Sequence, residues 1–435
     1  MESSGKGGAG AGLLLAQPTK RLLGYADRRV PSGAANPTGG ALLLPTGSLK
    51  GAAAVSGIAE VKPAKFIEGA TVPSLMLEVA RQAMLDAAIE PGEVDGLLVA
   101  PPLGGAPLIF PAMMTEYLGL RPNYLDVVDT GGASGASQVW RAAAAIAAGM
   151  CENVICLTAD LQSPKAFYTR GATMEGLPAA EFDRPYGPMG ANSGYALLAQ
   201  RHMYEYGTTS EQMAKIAVDQ RTNACANPMA MFYGKPITLE DVLNSPLIVD
   251  PLHLLEIVMP CSGAAAVLVS SAERARRGPH PAIDLLGAGE HCSHSGITYS
   301  RNLTESPVRH SAERAFRMAG LRPDDMDLVS AYDCYTITVL VTLEDAGFCP
   351  KGAGGPFVAE HDLTFSGDLP VNTHGGQLSF GQPGLAGGMS HVTEAIRQLR
   401  GEAGERQVKN CEFAFVNGNG GILSEQASLI FGRTS

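Results

Sequence analysis

The sequence predicts an α/β protein whose sheet is covered by helices on both faces. Two observations carry the prediction. Apolar runs of strand length alternate with longer amphipathic segments, and the alternation, once complete, begins again and runs through the second half of the chain.

Residues 1–50 are rich in Gly, Ala, Ser and Pro and have no sustained period, so they read as a flexible extension. The fold opens with the strand AAAVSGIA (52–59), the amphipathic helix SLMLEVARQAMLDAAI (74–89) and the strand VDGLLVA (94–100). The order then repeats. Strand NYLDVV (123–128) enters the turn DTGGASG (129–135), helix ASQVWRAAAAIAAGM (136–150) follows, and NVICLTA (153–159) returns as a buried strand. Such βαβ order predicts a largely parallel sheet. Residues 163–255 are polar and helical and read as an insertion, with helices at 193–207 and 210–226 and another opening at Thr238. Strand 262–271 resumes the core, closing a first half that spans 51–275.

The second half, 280–435, runs through strand 282–289, helix 311–320, strand 326–332, helix 336–347, a glycine-rich loop at 372–388, helix 390–401 and strands 411–418 and 422–432. Two halves with one element order imply an internal duplication, which places a site at their junction.

Composition narrows the function. A chain of 435 residues, 45% hydrophobic, buries a sizeable core, and its formal charge of −11 without a clustered Lys/Arg stripe argues against a nucleic-acid partner. The longest apolar stretch, 96–114, is interrupted by Pro101, Pro102, Pro107 and Pro111, so no membrane span is expected. AGLLLAQ near the N-terminus is followed by Lys20 and Arg21 rather than a cleavage site, making a cytoplasmic chain the default. Eight scattered cysteines suit buried or reactive thiols rather than a disulfide framework, and no CxxC pair supports zinc. HCSH (291–294) holds two or three residues of metal-ligating type, but no second pair stands at ligand spacing, and it reads as a polar loop after a strand.

Four stretches in order, DTGGASGASQVW, the insertion from YGTTSEQMAKIAVDQRTNACANPMA to PLHLLEIV, AYDCYT, and NTHGGQLSFGQPG with EAIRQLRG, resemble the sterol-carrier-protein branch of the thiolase superfamily over residues 50–433. The resemblance implies the thiolase fold: two βαβαβαββ halves in five layers, usually dimeric, with acyl-CoA entering by the inserted loop domain. It also implies a nucleophilic Cys in C-x-S-G, an Asn or His in a second motif, a His in G-H-P and a second Cys near the C-terminus.

None of the four is present. Gly132 stands at the nucleophile, Tyr332 at the Asn/His, Gln382 at the histidine of G-H-P, and Asn417 or Gly418 at the second Cys. Without a thiol at 132 the acyl-enzyme route is closed. The pattern resembles the thiolase-like aldolases of steroid side-chain breakdown, which lack the cysteine, use tyrosines and work with a small zinc-ribbon/OB-fold partner. That implies retro-aldol cleavage of a branched β-hydroxyacyl-CoA, with a coenzyme A thioester as substrate and no bound cofactor.

Tyr332 is then the candidate proton carrier, and to act as a base near neutrality its phenol has to be lowered from about 10 by a neighbour. Gln382 and His374 are candidates for orienting the thioester or hydroxyl. Gly132, Gly376 and Gly420 are backbone positions for an oxyanion hole. Asp333 either tunes Tyr332 or caps the following helix, whose first turn is Tyr335–Thr338. Cys334 is either a displaced nucleophile or a buried thiol. Phe167, Tyr168, Met229, Met231 and Phe232 either line an acyl pocket or pack the insertion. Two further readings stay open: an acetyl-CoA acetyltransferase or 3-ketoacyl-CoA thiolase with a rearranged nucleophile, and a non-catalytic acyl-CoA or lipid-binding subunit.

Overall fold

The computed structural model describes residues 49–162, 179–187 and 190–433; the expected extension, save its last two residues, lies outside them, as do Phe167 and Tyr168. The first half contains β1 (Ala53–Glu60), α1 (Val72–Ala87), β2 (Gly96–Val99), α2 (Phe110–Leu118), β3 (Tyr124–Val127), α3 (Ser134–Ala147) and β4 (Asn153–Asp160). After α4 (Gly190–Tyr206), α5 (Ser210–Cys225), α6 (Leu239–Leu243) and the small hairpin of β5 (Leu247–Val249) and β6 (Leu252–His253), the core resumes at β7 (Gly263–Ser271). The second half has β8 (Ile283–Cys292), α7 (Val308–Ala319), β9 (Leu328–Ala331), α8 (Thr336–Asp345), α9 (Gly354–Glu360), α10 (Gly376–Ser379), α11 (Gly387–Arg400), β10 (Phe413–Gly420) and β11 (Glu425–Arg433).

Local chemistry explains several boundaries. Thr71 and Ser74 form a reciprocal capping box at the start of α1, as do Thr209 with Gln212 at α5 and Thr238 with Asp241 at α6. The unanticipated α2 tolerates Pro111 because it falls in the first turn, where the missing N–H has no intrahelical acceptor to lose. β8 runs through Cys292, so His291 and Cys292 belong to a strand paired with β11 and not to a polar loop. The glycine-rich loop is also more ordered than its composition suggests, since it holds the one-turn α10.

Nine strands form one sheet in the order β3-β2-β4-β7-β1-β8-β11-β10-β9. It is mixed rather than largely parallel. Among the strands of the described residues, β2–β3, β2–β4 and β9–β10 are the parallel pairs. β7 lies antiparallel to β4, and β11, reached through a short turn, lies antiparallel to β10. The halves meet at β1 and β8, which share two register pairs, Ala54 with Asp284 and Val55 with Ile283.

Three apolar clusters mark the layers. One joins α1 and α2 to the first half's strands, another joins α7 and α8 to the second half's, and the third packs α3 and α11 between the inner faces. The duplication shows in a shared device: a Cβ on Gly57 of β1 would lie 2.2 Å from the Ala83 carbonyl of α1, and one on Gly287 of β8 would lie 2.1 Å from the Ala315 carbonyl of α7. Each outer helix thus rests directly on the leading strand of its half. Among the described residues no helix is long and apolar enough to cross a membrane.

Candidate active site

β9 delivers Tyr332 to the junction of the halves. Asn372 holds the strand end by accepting from the Ala331 N–H and donating to its carbonyl, both at 2.8 Å, and the Tyr332 N–H donates to the Asn417 carbonyl at 3.0 Å. The ring is therefore fixed by backbone pairing before any side-chain contact is made. Gln382 Nε2 donates to the Tyr332 hydroxyl at 2.9 Å. Its own backbone is clamped, with the N–H on the Met259 carbonyl at 3.1 Å and the carbonyl taking the Cys261 N–H at 3.0 Å.

Gly132 faces this pair from the turn before α3. A Cβ there would lie 2.3 Å from the Tyr332 hydroxyl oxygen and 2.5 Å from the Asn419 carbonyl, separations no side chain tolerates. Tyr332 thus occupies the volume into which a side chain at 132 would project. The two departures from the thiolase pattern therefore meet at one place, since the Tyr332 phenol fills the volume that Gly132 leaves open.

Burial raises the Tyr332 phenol above its ordinary 10; Cys334 and then Asp333 add to the rise, and the Gln382 amide opposes it. The expected net lowering by a neighbour is therefore not found, because the amides of Gln382 and Gln377 do not offset the loss of water. At neutral pH the group is a phenol. Gln382 bonds its oxygen as an acceptor and leaves its own hydrogen to donate.

The remaining expected residues are placed as follows. Asp333 does not cap α8, whose N-cap is Tyr335 paired with Thr338. Its carboxylate instead accepts the N–H groups of Gln377 at 2.7 Å and Leu378 at 3.0 Å, capping α10, because the chain turns it toward the 372–388 segment. Burial raises Asp333, against the contact with His391. Cys334 is buried, its thiol pushed up to about 12 by desolvation, and Asn419 Nδ2 lies 3.7 Å from Sγ. That environment suppresses the thiolate a nucleophile needs.

His374 is buried against Phe380 and His391, with ring centroids at 5.2 and 5.0 Å, and its Nε2 contacts Ser390 Oγ at 3.3 Å. Burial, and then His391, hold it well below the usual imidazole value, hence neutral. Asn417 points along the sheet to Gln426 and Ser428, both at 2.9 Å. A Cβ on Gly420 would meet the Thr130 carbonyl at 2.1 Å, so the end of β10 presses on the turn holding Gly132. At Gly376 the corresponding space is taken by Asp333 Oδ2 at 2.2 Å and Gln220 Oε1 at 2.7 Å. In the insertion, Arg221 lies over the Phe232 ring at 4.1 Å and Met229 packs on Ala224, Ala230 and Phe380.

Several residues of this environment carry no sequence signal of their own. Asn419 bridges Tyr195, at 2.8 Å, and Gln426, at 2.7 Å, while its carbonyl lies over Gly132. Tyr195 stacks on Tyr335 with centroids 4.3 Å apart, and Tyr335 donates to Asn192 at 2.5 Å. Gln377 and His391 pack behind the Asp333 carboxylate. The chemistry available is a buried phenol with an amide donor, no activated thiol, and tightly apposed glycine turns.

Comparisons with known proteins agree with this geometry. A model described as thiolase C-terminal domain-like matches residues 289–433. The chain is 36% identical over 376 residues to a steroid side-chain-cleaving aldolase of Thermomonospora curvata, covering 81% of this chain and 91% of that one. It is 32% identical over 388 residues to an acetyl-CoA acetyltransferase of Methanothermobacter thermautotrophicus, 87% of this chain and 99% of that one. Identity to a 17-hydroxy-3-oxo-4-pregnene-20-carboxyl-CoA lyase of Mycobacterium tuberculosis is 32% over 397 residues, 88% of this chain and all (100%) of that one. A solved Ltp2-ChsH2(DUF35) aldolase superposes with a TM-score of 0.79 at 34% identity, covering 88% of this chain and 98% of that one.

Proposed function

The chain belongs to the thiolase superfamily, and on that premise we propose that it is an aldolase, cleaving a branched β-hydroxyacyl-CoA to a ketone and a shorter acyl-CoA without a covalent acyl-enzyme. The observation that carries this reading is the Tyr332 hydroxyl standing where a side chain at residue 132 would project. A thiolase nucleophile is sterically excluded there, and a proton carrier has taken its place. The aldolase and the CoA lyase among the relatives support the same reaction class.

In the retro-aldol direction the β-hydroxyl gives up its proton, the Cα–Cβ bond breaks, and its electron pair passes to the thioester as an enolate, which is protonated at Cα. The proton count is unchanged, so one carrier suffices. Since burial keeps Tyr332 protonated, the phenol accepts the hydroxyl proton as it hands its own to carbon, and no free phenolate is needed in the resting enzyme. Gln382 holds the phenol oxygen, and backbone groups at Gly132 and Gly420 are the candidates for the enolate oxygen. Gly376, whose side is filled by Asp333 and Gln220, serves the packing beneath. Asp333 orders α10, Asn417 ties β10 to β11, and His374 supports the loop as a neutral ring.

The Cys334 environment counts against an acyltransferase with a displaced thiol. A homodimer is supported by the edge strand β3, where Leu125 and Val127 are exposed beside Tyr117 of α2. A small zinc-ribbon/OB-fold partner is in keeping with the two-component name of the solved aldolase.

The test is product analysis. The protein, purified with whatever accompanies it, is incubated with a branched β-hydroxyacyl-CoA and, separately, with a 3-ketoacyl-CoA plus coenzyme A, and the CoA products are identified by mass. Ketone and shortened acyl-CoA from the first mixture alone are expected. Thiolysis in the second would reinstate a cysteine nucleophile, and acyl-CoA binding without turnover in either would make the chain a binding subunit.

A further inference from the structure

We propose that Glu290 is a positioning residue for the reaction, holding the turn at Thr130–Gly132 through the hydroxyls of Ser137 and Thr130, a role that rests on the reading of Gly132 as a backbone contact of the enolate oxygen. The turn has little of its own to hold it. Gly131 and Gly132 are adjacent glycines, the first at φ +59°, and neither has a side chain to anchor the backbone. The anchors are therefore the residues on either side.

Ser134, at the start of α3, accepts the Thr130 N–H at 3.1 Å and donates to the Gly131 carbonyl at 2.6 Å, which ties the turn to its own helix. The Thr130 side chain makes the longer connection. Its Oγ1 lies 2.9 Å from Ser137 Oγ, and Ser137 Oγ lies 2.7 Å from Glu290 Oε2. A carboxylate only accepts, so Ser137 spends its one hydrogen on Glu290, and Thr130 must donate to Ser137. Both bonds take their direction from the carboxylate end. Ser137 and Thr130 are buried, so little water competes for either.

Glu290 stands on β8 in the other half of the molecule, 153 residues from Ser137, and its place is fixed independently of the turn. Trp140 Nε1 donates to Oε2 at 2.8 Å, while Arg141 donates to Oε2 at 2.7 Å and to Oε1 at 2.9 Å with its guanidinium 4.5 Å over the Trp140 ring. The Glu290 carbonyl accepts from Arg314 at 3.1 Å. Burial alone would raise the carboxyl, but Arg141, then Ser137 and Trp140, hold it below its ordinary value, so it accepts as an anion at neutral pH. A charge-assisted bond to a fixed carboxylate holds more firmly than a neutral pair. An enolate oxygen is stabilised by donors already in position when its charge develops, and a pair of glycines meets that condition only when held from outside.

The test reads amide hydrogen exchange of residues 129–135 in the full-length protein beside steady-state turnover of a branched β-hydroxyacyl-CoA. Ser137→Ala and Thr130→Val each cut the connection and keep the ion pair, so kcat should fall about three- to tenfold with KM nearly constant while exchange at 129–135 rises. Glu290→Leu should do the same, and adding Ser137→Ala to it should lower kcat no further, because both remove one bond. Arg141→Gln breaks the ion pair and keeps the Ser137 bond, so the thermal midpoint should fall while kcat and the exchange of the turn hold. Unchanged exchange at 129–135 in Ser137→Ala overturns the proposal, as do equal losses of kcat in Ser137→Ala and Arg141→Gln, which would make the cluster only a clasp between the halves. If Glu290→Leu does not fold, Ser137→Ala and Thr130→Val decide. A turn that loosens while kcat holds would instead sink Gly132 as an enolate contact, and with it the catalytic purpose of the mount, so the two failures are separable.

Discussion

The helices α3 and α11 occupy the same middle layer and are filled in opposite ways. α3 buries small and uncharged residues, four alanines with Gly135, Val139, Ile146, Ser134, Ser137 and Gln138, and its contribution to the site is an absence, the missing side chain at Gly132 just before its first turn. α11 buries Ser390, His391, Thr393, Glu394, Gln398 and Arg400. Its charges are matched internally: Glu394 lies 2.8 Å from Arg406 and 3.3 Å from Arg397, and Arg400 lies 2.8 Å from Asp86 of α1. Two copies of one architecture can thus hold the same interface by van der Waals contact or by paired charge. The duplicated halves are not equivalent chemically. The first supplies space and backbone, and the second supplies every side chain that directs the phenol.

The sharpest break in that comparison is Tyr332→Phe. It removes the hydroxyl and little volume, so turnover should fall by about 10²- to 10⁴-fold while the thermal midpoint barely moves. A steady-state assay beside a melting curve reads both.

Next in size is Glu394→Gln, which leaves the buried Arg406 guanidinium without its carboxylate, while Arg397 keeps Glu60, and should cost about 3–5 kcal/mol in a denaturant titration at neutral pH. The same change alters acid sensitivity. Despite its burial, Glu394 is held down to about 2 by Arg406 and Arg397. Its folded value lies below its unfolded one, so its stabilisation is full above about 4.5 and is lost as pH falls toward about 2. Stability measured between those limits should slope less in the variant than in the wild type.

Gly132→Ala probes the passive half. The added carbon must displace Tyr332 or the Asn419 carbonyl, an overpacking worth about 1–3 kcal/mol, with a loss of turnover. In a double-mutant cycle Tyr332→Ala should remove the part of that penalty due to the ring and leave the part due to the Asn419 carbonyl, showing that the two positions are coupled. The smallest effect belongs to Cys334→Ala, for which turnover should hold within assay error. A large loss there would return the thiol to the mechanism.

Much of this was legible in the sequence and some was not, for physical reasons. Strand–helix alternation located most elements because burial imposes period and length on apolar residues. Strand direction was not legible, since β7 and β11 read like any buried strand until their partners are known. The order within 372–388 escaped because Gln377 and Leu378 begin α10 only once the distant Asp333 supplies the cap. At the site, the substitution of four expected side chains could be read from position alone. The steric fit between residues 132 and 332 could not, because 200 positions separate them in the numbering and their contact exists only in the fold. His391 and Asn419 are long-range partners of the same kind.

That fit also constrains history. With this tyrosine and the Asn419 carbonyl in place there is no room for even a methyl group at 132, so no route from a cysteine-bearing chain keeps the side chain at 132 and gains the tyrosine in this pose. Regaining a nucleophile at 132 calls for a change at Tyr332 and a shift of the Asn419 carbonyl together. The packing works as a ratchet: two contacts at residue 132, one with a side chain and one with backbone, stand against restoring a nucleophile there by a single substitution.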